Sequence, residues 1–87
     1  MKADQNPLGK YAQSVLVTLF SEGQAMTLDE LDNSLDFGRG VIDHSLTDLK
    51  ERGLVSEDKS FGPEGTLPAY RPTDEGKAIA YEFVNKG

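Results

Sequence analysis

The sequence has no cysteine and no tryptophan, and its one histidine is His44. Without cysteine there is no disulfide and no thiolate ligand, and one imidazole is too few for a zinc site of the usual kind. No apolar run approaches the about 18 residues of a membrane span, and the N-terminus lacks a signal-peptide pattern. These absences predict a cytoplasmic protein with no metal, no cofactor and no membrane attachment.

Basic residues are also scarce. The 87 residues include 9 Lys and Arg against 15 Asp and Glu, and the net charge is −6. Modules that bind nucleic acid are usually basic, because Lys and Arg neutralise phosphates. The charge alone therefore favours a basic protein partner over DNA. Catalysis has little support, since the sequence contains no pattern of a nucleophile with its base and no glycine-rich phosphate loop after a strand.

Apolar residues at helical spacing predict a first helix that begins at Asn6 and Pro7 and ends at Glu22 and Gly23. Residues 1–5 are expected to be disordered. Thr27 opens a capping box, with a glutamate three residues later, so a short second helix should begin there. This short helix, the turn after it and the longer helix that follows make residues 27–53 a helix-turn-helix unit, within a single domain that covers residues 1–87.

Residues 39–55 organise the rest of the chain, and they begin with a third helix. One face of this third helix is apolar or small and carries Val41, Ile42, Ser45, Leu46 and Leu49. The other face carries Arg39, Asp43, His44, Thr47 and Lys50. We expect Leu46 and Leu49 to be buried against the first two helices. Gly53 should end the helix, because glycine adopts the left-handed conformation common after a helix C-terminus.

Residues 54–72 are predicted to form a hairpin, the wing, with a turn at residues 62–65. Pro68 should confine the second strand to a sheet edge, because proline cannot donate to the ladder. Thr73 should cap a last helix over residues 73–86.

Two stretches resemble MarR/ArsR-type winged-helix transcriptional regulators: residues 37–55 (FGRGVIDHSLTDLKERGLV) and residues 70–77 (YRPTDEGK). The first is similar to the family's recognition helix and exit strand, and the second to the start of its post-wing helix. The likeness covers about residues 8–84. It implies a mainly α fold with a small β-hairpin, a winged helix-turn-helix with a three-helix core, a two-stranded wing and a C-terminal helix.

The resemblance also implies a partner, double-stranded DNA, bound by a homodimer. The DNA-binding residues would be Arg39, Gly40, Asp43, His44, Thr47 and Lys50 on the third helix, with Lys59 and Arg71 on or beside the wing. The alternative is an acidic winged-helix module that binds a protein and does not bind DNA directly.

Several of these residues have a second interpretation. Arg39 either contacts guanine or is a solvated charge at a helix terminus, and for His44 we favour plain exposure. Lys59 and Arg71 either contact phosphates or pair with Glu57 or Asp58 on the surface. The aromatic residues Tyr11, Tyr81 and Phe83 belong either to the core or to a dimer contact between terminal helices.

Overall fold

The computed structural model describes residues 8–61 and 67–86. Its elements in chain order are α1 (Lys10–Glu22), β1 (Met26–Thr27), α2 (Leu28–Ser34), α3 (Arg39–Glu51), β2 (Val55–Phe61), β3 (Leu67–Pro72) and α4 (Asp74–Lys86). The predicted disorder at residues 1–5 and the predicted turn at residues 62–65 lie outside the described residues. The architecture is mainly helical with one antiparallel sheet, which confirms the predicted fold class.

Helix α1 begins later than predicted. Its first residue is Lys10 and its N-cap is the extended Gly9, so Leu8 is not helical; Asn6 and Pro7 lie outside the described residues. Leu8 instead packs against the core, and its carbonyl accepts a hydrogen bond from Gln13 Nε2 at 2.8 Å. The predicted end is confirmed, because α1 stops at Gly23, which has a φ of 73°.

The capping box of α2 is present. Thr27 Oγ1 accepts from the Glu30 amide at 3.2 Å, and Glu30 Oε1 accepts from the Thr27 amide at 2.9 Å. These bonds satisfy two donors that a helix start would otherwise leave unpaired. They fix the start of α2 at Leu28.

Helix α3 ends as predicted. Gly53 has a φ of 77°, its amide donates to the Lys50 carbonyl at 3.0 Å, and the Leu54 amide donates to the Leu49 carbonyl at 2.9 Å. This pair of bonds is the Schellman motif, which glycine favours because it has no Cβ to strain the left-handed residue.

The core lies between α1, α2 and α3 and continues to the sheet and α4. Leu46 and Leu49 are 1% and 0% exposed, so their predicted burial is confirmed. Ser45, also on the predicted inner face, is buried as well. The largest fully buried side chains are Val15, Leu16, Leu19, Leu31, Ile42, Leu46 and Leu49. Because α3 places one face in this core, its other face is left to solvent.

The sheet differs from the predicted two-stranded wing. The two-residue strand β1 pairs with β3, so the order is β1-β3-β2 and β3 is central. The prediction that Pro68 confines its strand to an edge is therefore wrong. The ladder tolerates Pro68 because β1 pairs only with Ala69 and Tyr70, and because the pairing with β2 is irregular between Ala69 and Leu67.

Candidate nucleic-acid interface

The outer face of α3 is polar and open to solvent. Its exposed residues are Arg39, Gly40, Asp43, His44, Thr47 and Lys50. The opposite face of α3 packs in the core. This packing holds the helix in place and leaves the polar face exposed to solvent. Exposure of this kind is what a helix in a DNA groove requires. The role of these six residues in DNA binding stays a prediction.

Arg39, the first residue of α3, is held by α2. One guanidinium nitrogen of Arg39 donates a hydrogen bond to Asp29 Oδ1, and the side chains are 56% and 68% exposed. The bond to Asp29 and the charges of Asp29 and Asp32 raise the pKa of Arg39 above its ordinary value. An exposed pair adds little to stability, but it does fix where the guanidinium lies. Sequence reasoning missed Asp29, since nothing local joins residues on different helices.

The first turn of α3 leaves room in front of it. A Cβ built on Gly40 meets no atom of the described residues within 4 Å, so packing among them does not require glycine there. Thr47 Oγ1 donates to the Asp43 carbonyl at 3.1 Å, which uses the hydroxyl hydrogen within the helix and leaves the oxygen as an acceptor. His44 is exposed, as the sequence interpretation favoured.

Lys50 joins α3 to the wing. Its ammonium donates to Glu57 Oε1, and the Glu57 side chain is only 17% exposed. Glu57 lies directly across from Tyr70 in the sheet. The hydrogen bond to Glu57 raises the pKa of Lys50, while burial and the Glu57 charge raise the pKa of Tyr70. Lys50 thus bonds to a partly buried carboxylate, while its own side chain is 41% exposed and its ammonium has three N–H donors.

Of the two predicted wing cations, Arg71 lies apart from this group. Arg71 pairs with Asp58 at 4.0 Å. Neighbouring residues on a strand point to opposite faces, so Arg71 and Asp58 lie on the face of the hairpin opposite Glu57. Lys59 is exposed and has no ion-pair partner in the part of the chain that the structure describes. The structure therefore groups the candidate residues of α3 and separates Arg71 from them.

The aromatic residues considered for a dimer contact have different surroundings. Tyr11 is 45% exposed, but its ring meets Phe37 edge-on, with centroids 4.7 Å apart. Phe83 is half-buried, whereas Tyr81 and Val84 on α4 are 59% and 49% exposed. The sequence predicts Val84 as apolar surface of the last helix but not as part of the dimer contact, although its spacing of three from Tyr81 places both on one helix face.

The described residues contain no helix that is both long and apolar enough to cross a membrane. Their His, Asp and Glu side chains also form no group that could hold a metal ion.

The chain thus combines a short helix, a turn, a longer helix with an outward polar face and a hairpin. No family model and no curated protein matches the chain. Among solved structures, a mutant of Lactococcus lactis ZitR superposes with a TM-score of 0.80 at 16% identity, over 98% of this chain and 56% of that one. Adhesin competence repressor (AdcR) of Streptococcus pyogenes gives 0.80 at 19% identity, over 98% and 61%.

A third structure, the MepR–DNA complex of S. aureus, gives a TM-score of 0.76 at 14% identity, over 90% of this chain and 63% of that one. The fold is a winged helix. The neighbours are winged-helix regulators of the MarR type, so the predicted resemblance is confirmed at the level of fold. The chain spans between 56% and 63% of the length of these three neighbours.

Proposed function

We propose that the chain is a DNA-binding module of a transcriptional regulator, with α3 in the major groove and the wing beside the backbone. The observation that carries the proposal is the exposed polar face of α3 on a helix that the core holds from behind. MepR, which shares the fold, is described as a transcription regulator of a multidrug efflux pump and has been solved with DNA. A recognition helix in the major groove is how this class of motif reads sequence.

The residues have different roles in the proposal. Arg39 reads a guanine, because its planar fork of donors matches the two acceptors that guanine shows in the major groove. Gly40 lets the first turn of α3 come close to the bases, since the space in front of it is open. Lys59 contacts a phosphate, since no carboxylate among the described residues competes for it.

The module acts as a homodimer in this proposal, so that twofold symmetry matches two half-sites. Tyr81 and Val84 form the contact on α4, because they are the most exposed large apolar side chains of that helix in the described part of the chain. The predicted contact also includes Tyr11, which is 45% exposed, and Phe83, which is half-buried.

The test is a selection of random duplexes at low salt, followed by a salt-dependent titration of the chosen sequence. Low salt is the fair condition, because phosphate attraction is then at its largest. Arg39→Ala should cost about 1–3 kcal/mol and relax the preference at one base pair. Lys59→Ala should weaken all sequences alike and lower the salt slope by about one. If several rounds enrich no sequence with the wild-type chain, the proposal fails.

A second candidate function has its own observation. Arg39, Lys50 and Arg71 each pair with a carboxylate of the chain itself, and the net charge is −6. Such a surface would suit a basic protein partner better than a polyanion. Glu57→Gln and Asp58→Asn separate the two functions. They should strengthen DNA binding if the chain is a DNA reader. If it is a protein-interaction module, they should weaken binding of a basic peptide, and DNA should not bind even at low salt.

A further inference from the structure

The ion pair between Arg39 and Asp29 joins the two helices of the helix-turn-helix. The residues are 10 positions apart in the chain, and the turn before α3 brings them together. Asp29 bonds to one nitrogen of the guanidinium. Asp32, three residues further along α2, acts on Arg39 through its charge alone. One of two neighbouring carboxylates therefore fixes the orientation of Arg39, and the other contributes only to the local potential.

A single bond to the guanidinium leaves most of its donors available. Arginine presents its N–H groups in a planar fork, so an acid on one nitrogen does not block the donors on the others. The side chain is 56% exposed, which leaves that part of the fork accessible from solvent. A long side chain that is already held in place loses less freedom when it binds a target. Asp29 can thus hold the Arg39 guanidinium in one orientation before it binds, which favours a contact that requires that orientation.

We propose that Asp29 is a positioning residue that holds Arg39 for bidentate reading of a guanine, so that the specificity of the site depends on a residue of α2. The inference rests on the proposed DNA-binding function. It differs from simple masking, in which Asp29 would compete with DNA for Arg39. Positioning affects the choice of base, because a base contact specifies; masking affects affinity for every sequence, because a phosphate contact only positions the protein.

Asp29→Asn and Asp32→Asn form a matched pair for the test. Each removes one negative charge from α2, so each should ease the repulsion of phosphates by a similar amount. Only Asp29→Asn removes the carboxylate bonded to Arg39. We expect it to lower the preference for guanine at one position by about fivefold or more, relative to Asp32→Asn. Asp29→Glu keeps a carboxylate and should restore part of the preference.

A second background isolates the pair from other effects of the substitution. In Arg39→Ala, replacing Asp29 by Asn should not change the base preference further, because the residue it positions is gone. The proposal is overturned if Asp29→Asn and Asp32→Asn give the same base preferences. It is also overturned if Asp29→Asn raises affinity while the guanine preference stays intact, since Asp29 would then be a competitor.

The pair can also be examined without DNA. In solution NMR, the Arg39 guanidinium should become more mobile in Asp29→Asn and remain ordered in Asp32→Asn, while the melting temperatures stay close because both residues of the pair are exposed. Unchanged mobility in Asp29→Asn would overturn the inference by itself. If the wild-type chain selects no sequence, the proposed function fails and the inference fails with it. If it selects one and Asp29→Asn reads it equally well, only the inference fails.

Discussion

Gly76 is the residue that the fold can least replace among the described glycines. A Cβ built on it would lie 2.0 Å from the Leu54 carbonyl oxygen and 3.3 Å from Leu16 Cδ1. Helix α4 starts against this backbone because Thr73 bonds to it twice. The Thr73 amide donates to the Leu54 carbonyl at 3.0 Å, and its hydroxyl donates to the Gly53 carbonyl at 2.7 Å. The predicted cap is also present, since the Gly76 amide donates to Thr73 Oγ1 at 3.1 Å.

Gly76→Ala should therefore destabilise the chain by about 1–3 kcal/mol or more, because the clash is with backbone that cannot move aside without breaking the Thr73 bonds. Gly40→Ala is the matched control. Gly40 is also helical, and a methyl group there meets open space, so the change should stabilise by about 0.5–1 kcal/mol. Urea unfolding measures both. Equal midpoints for the two variants would contradict the close approach of α4 to Leu54.

The Gly40→Ala variant also tests the proposed function, because Gly40 lies on the candidate interface. Gly40 weakens the helix that carries the candidate interface. No contact within the described residues requires a residue without a side chain at this position. A glycine that costs stability at an exposed site is explained if a ligand must approach the backbone there. Gly40→Ala should thus raise the unfolding midpoint and lower affinity for a selected duplex, and the two effects are separable.

At the scale of elements, α3 is joined to the wing by the bond of Lys50 to Glu57, which lies across from Tyr70 in the sheet. Folding raises the pKa of Tyr70 through burial and the Glu57 charge, and raises the pKa of Lys50 through its bond to Glu57. A raised pKa means that the fold favours the protonated form of both groups. The stability they contribute is complete below their unfolded pKa values, ~10 for tyrosine and ~10.4 for lysine, and it is lost as pH rises through the folded values.

Tyr70→Phe should flatten this alkaline response. It keeps the ring that packs in the core and removes the hydroxyl that must ionise. The melting temperature of the wild type should fall more steeply than that of Tyr70→Phe between about pH 9 and pH 11. Tyr81→Phe is the comparison, because it also removes one tyrosine hydroxyl, from a side chain that is 59% exposed in the single chain. Parallel profiles of melting temperature against pH for wild type and Tyr70→Phe would show that ionisation of Tyr70 does not contribute to the loss of stability at alkaline pH.

The sequence predicts an element when the interactions that define it join residues close together in the chain. It does not predict an element that depends on residues far apart in the chain. The caps at Thr27, Gly53 and Thr73 were predictable because capping depends on residues a few positions apart. The strand β1 was not, because two residues carry no periodicity, and it exists only through its pairing with β3. For the same reason Pro68 led to a wrong strand order, since its effect depends on a neighbour that the sequence does not reveal.

For the candidate site too, the sequence predicts local features and does not predict contacts between elements. Helical spacing predicted which side of α3 would be buried, and hence that Arg39 and His44 would be exposed. It could not predict the ion pairs of Arg39 with Asp29 and Lys50 with Glu57, because each joins two elements whose relative placement is set by the core. The exposed face was thus predictable, and the electrostatic state of its cations was not.

At the scale of the whole molecule, charge has opposite effects on the two associations that the proposed function requires. Each chain carries a net charge of −6, so two chains repel each other and salt should strengthen the dimer by screening. Binding to DNA should weaken with salt, because it depends on the release of counterions from phosphates. Sedimentation should therefore be measured at moderate salt concentration, and the DNA titration at low salt concentration.

Sedimentation at micromolar concentration should give a mass near twice the 9.5 kDa of the chain. Replacing Tyr81 and Val84 by serine should yield the monomer, because it removes the exposed apolar face of α4. Leu67→Ser is the control, since Leu67 is exposed to a similar degree, 43%, but lies on the wing. On a duplex with two half-sites the monomeric variant should lose affinity, while on one half-site it should bind as the wild type does. A wild-type chain that stays monomeric at high concentration would remove the twofold arrangement, and α3 would then have to read a single half-site.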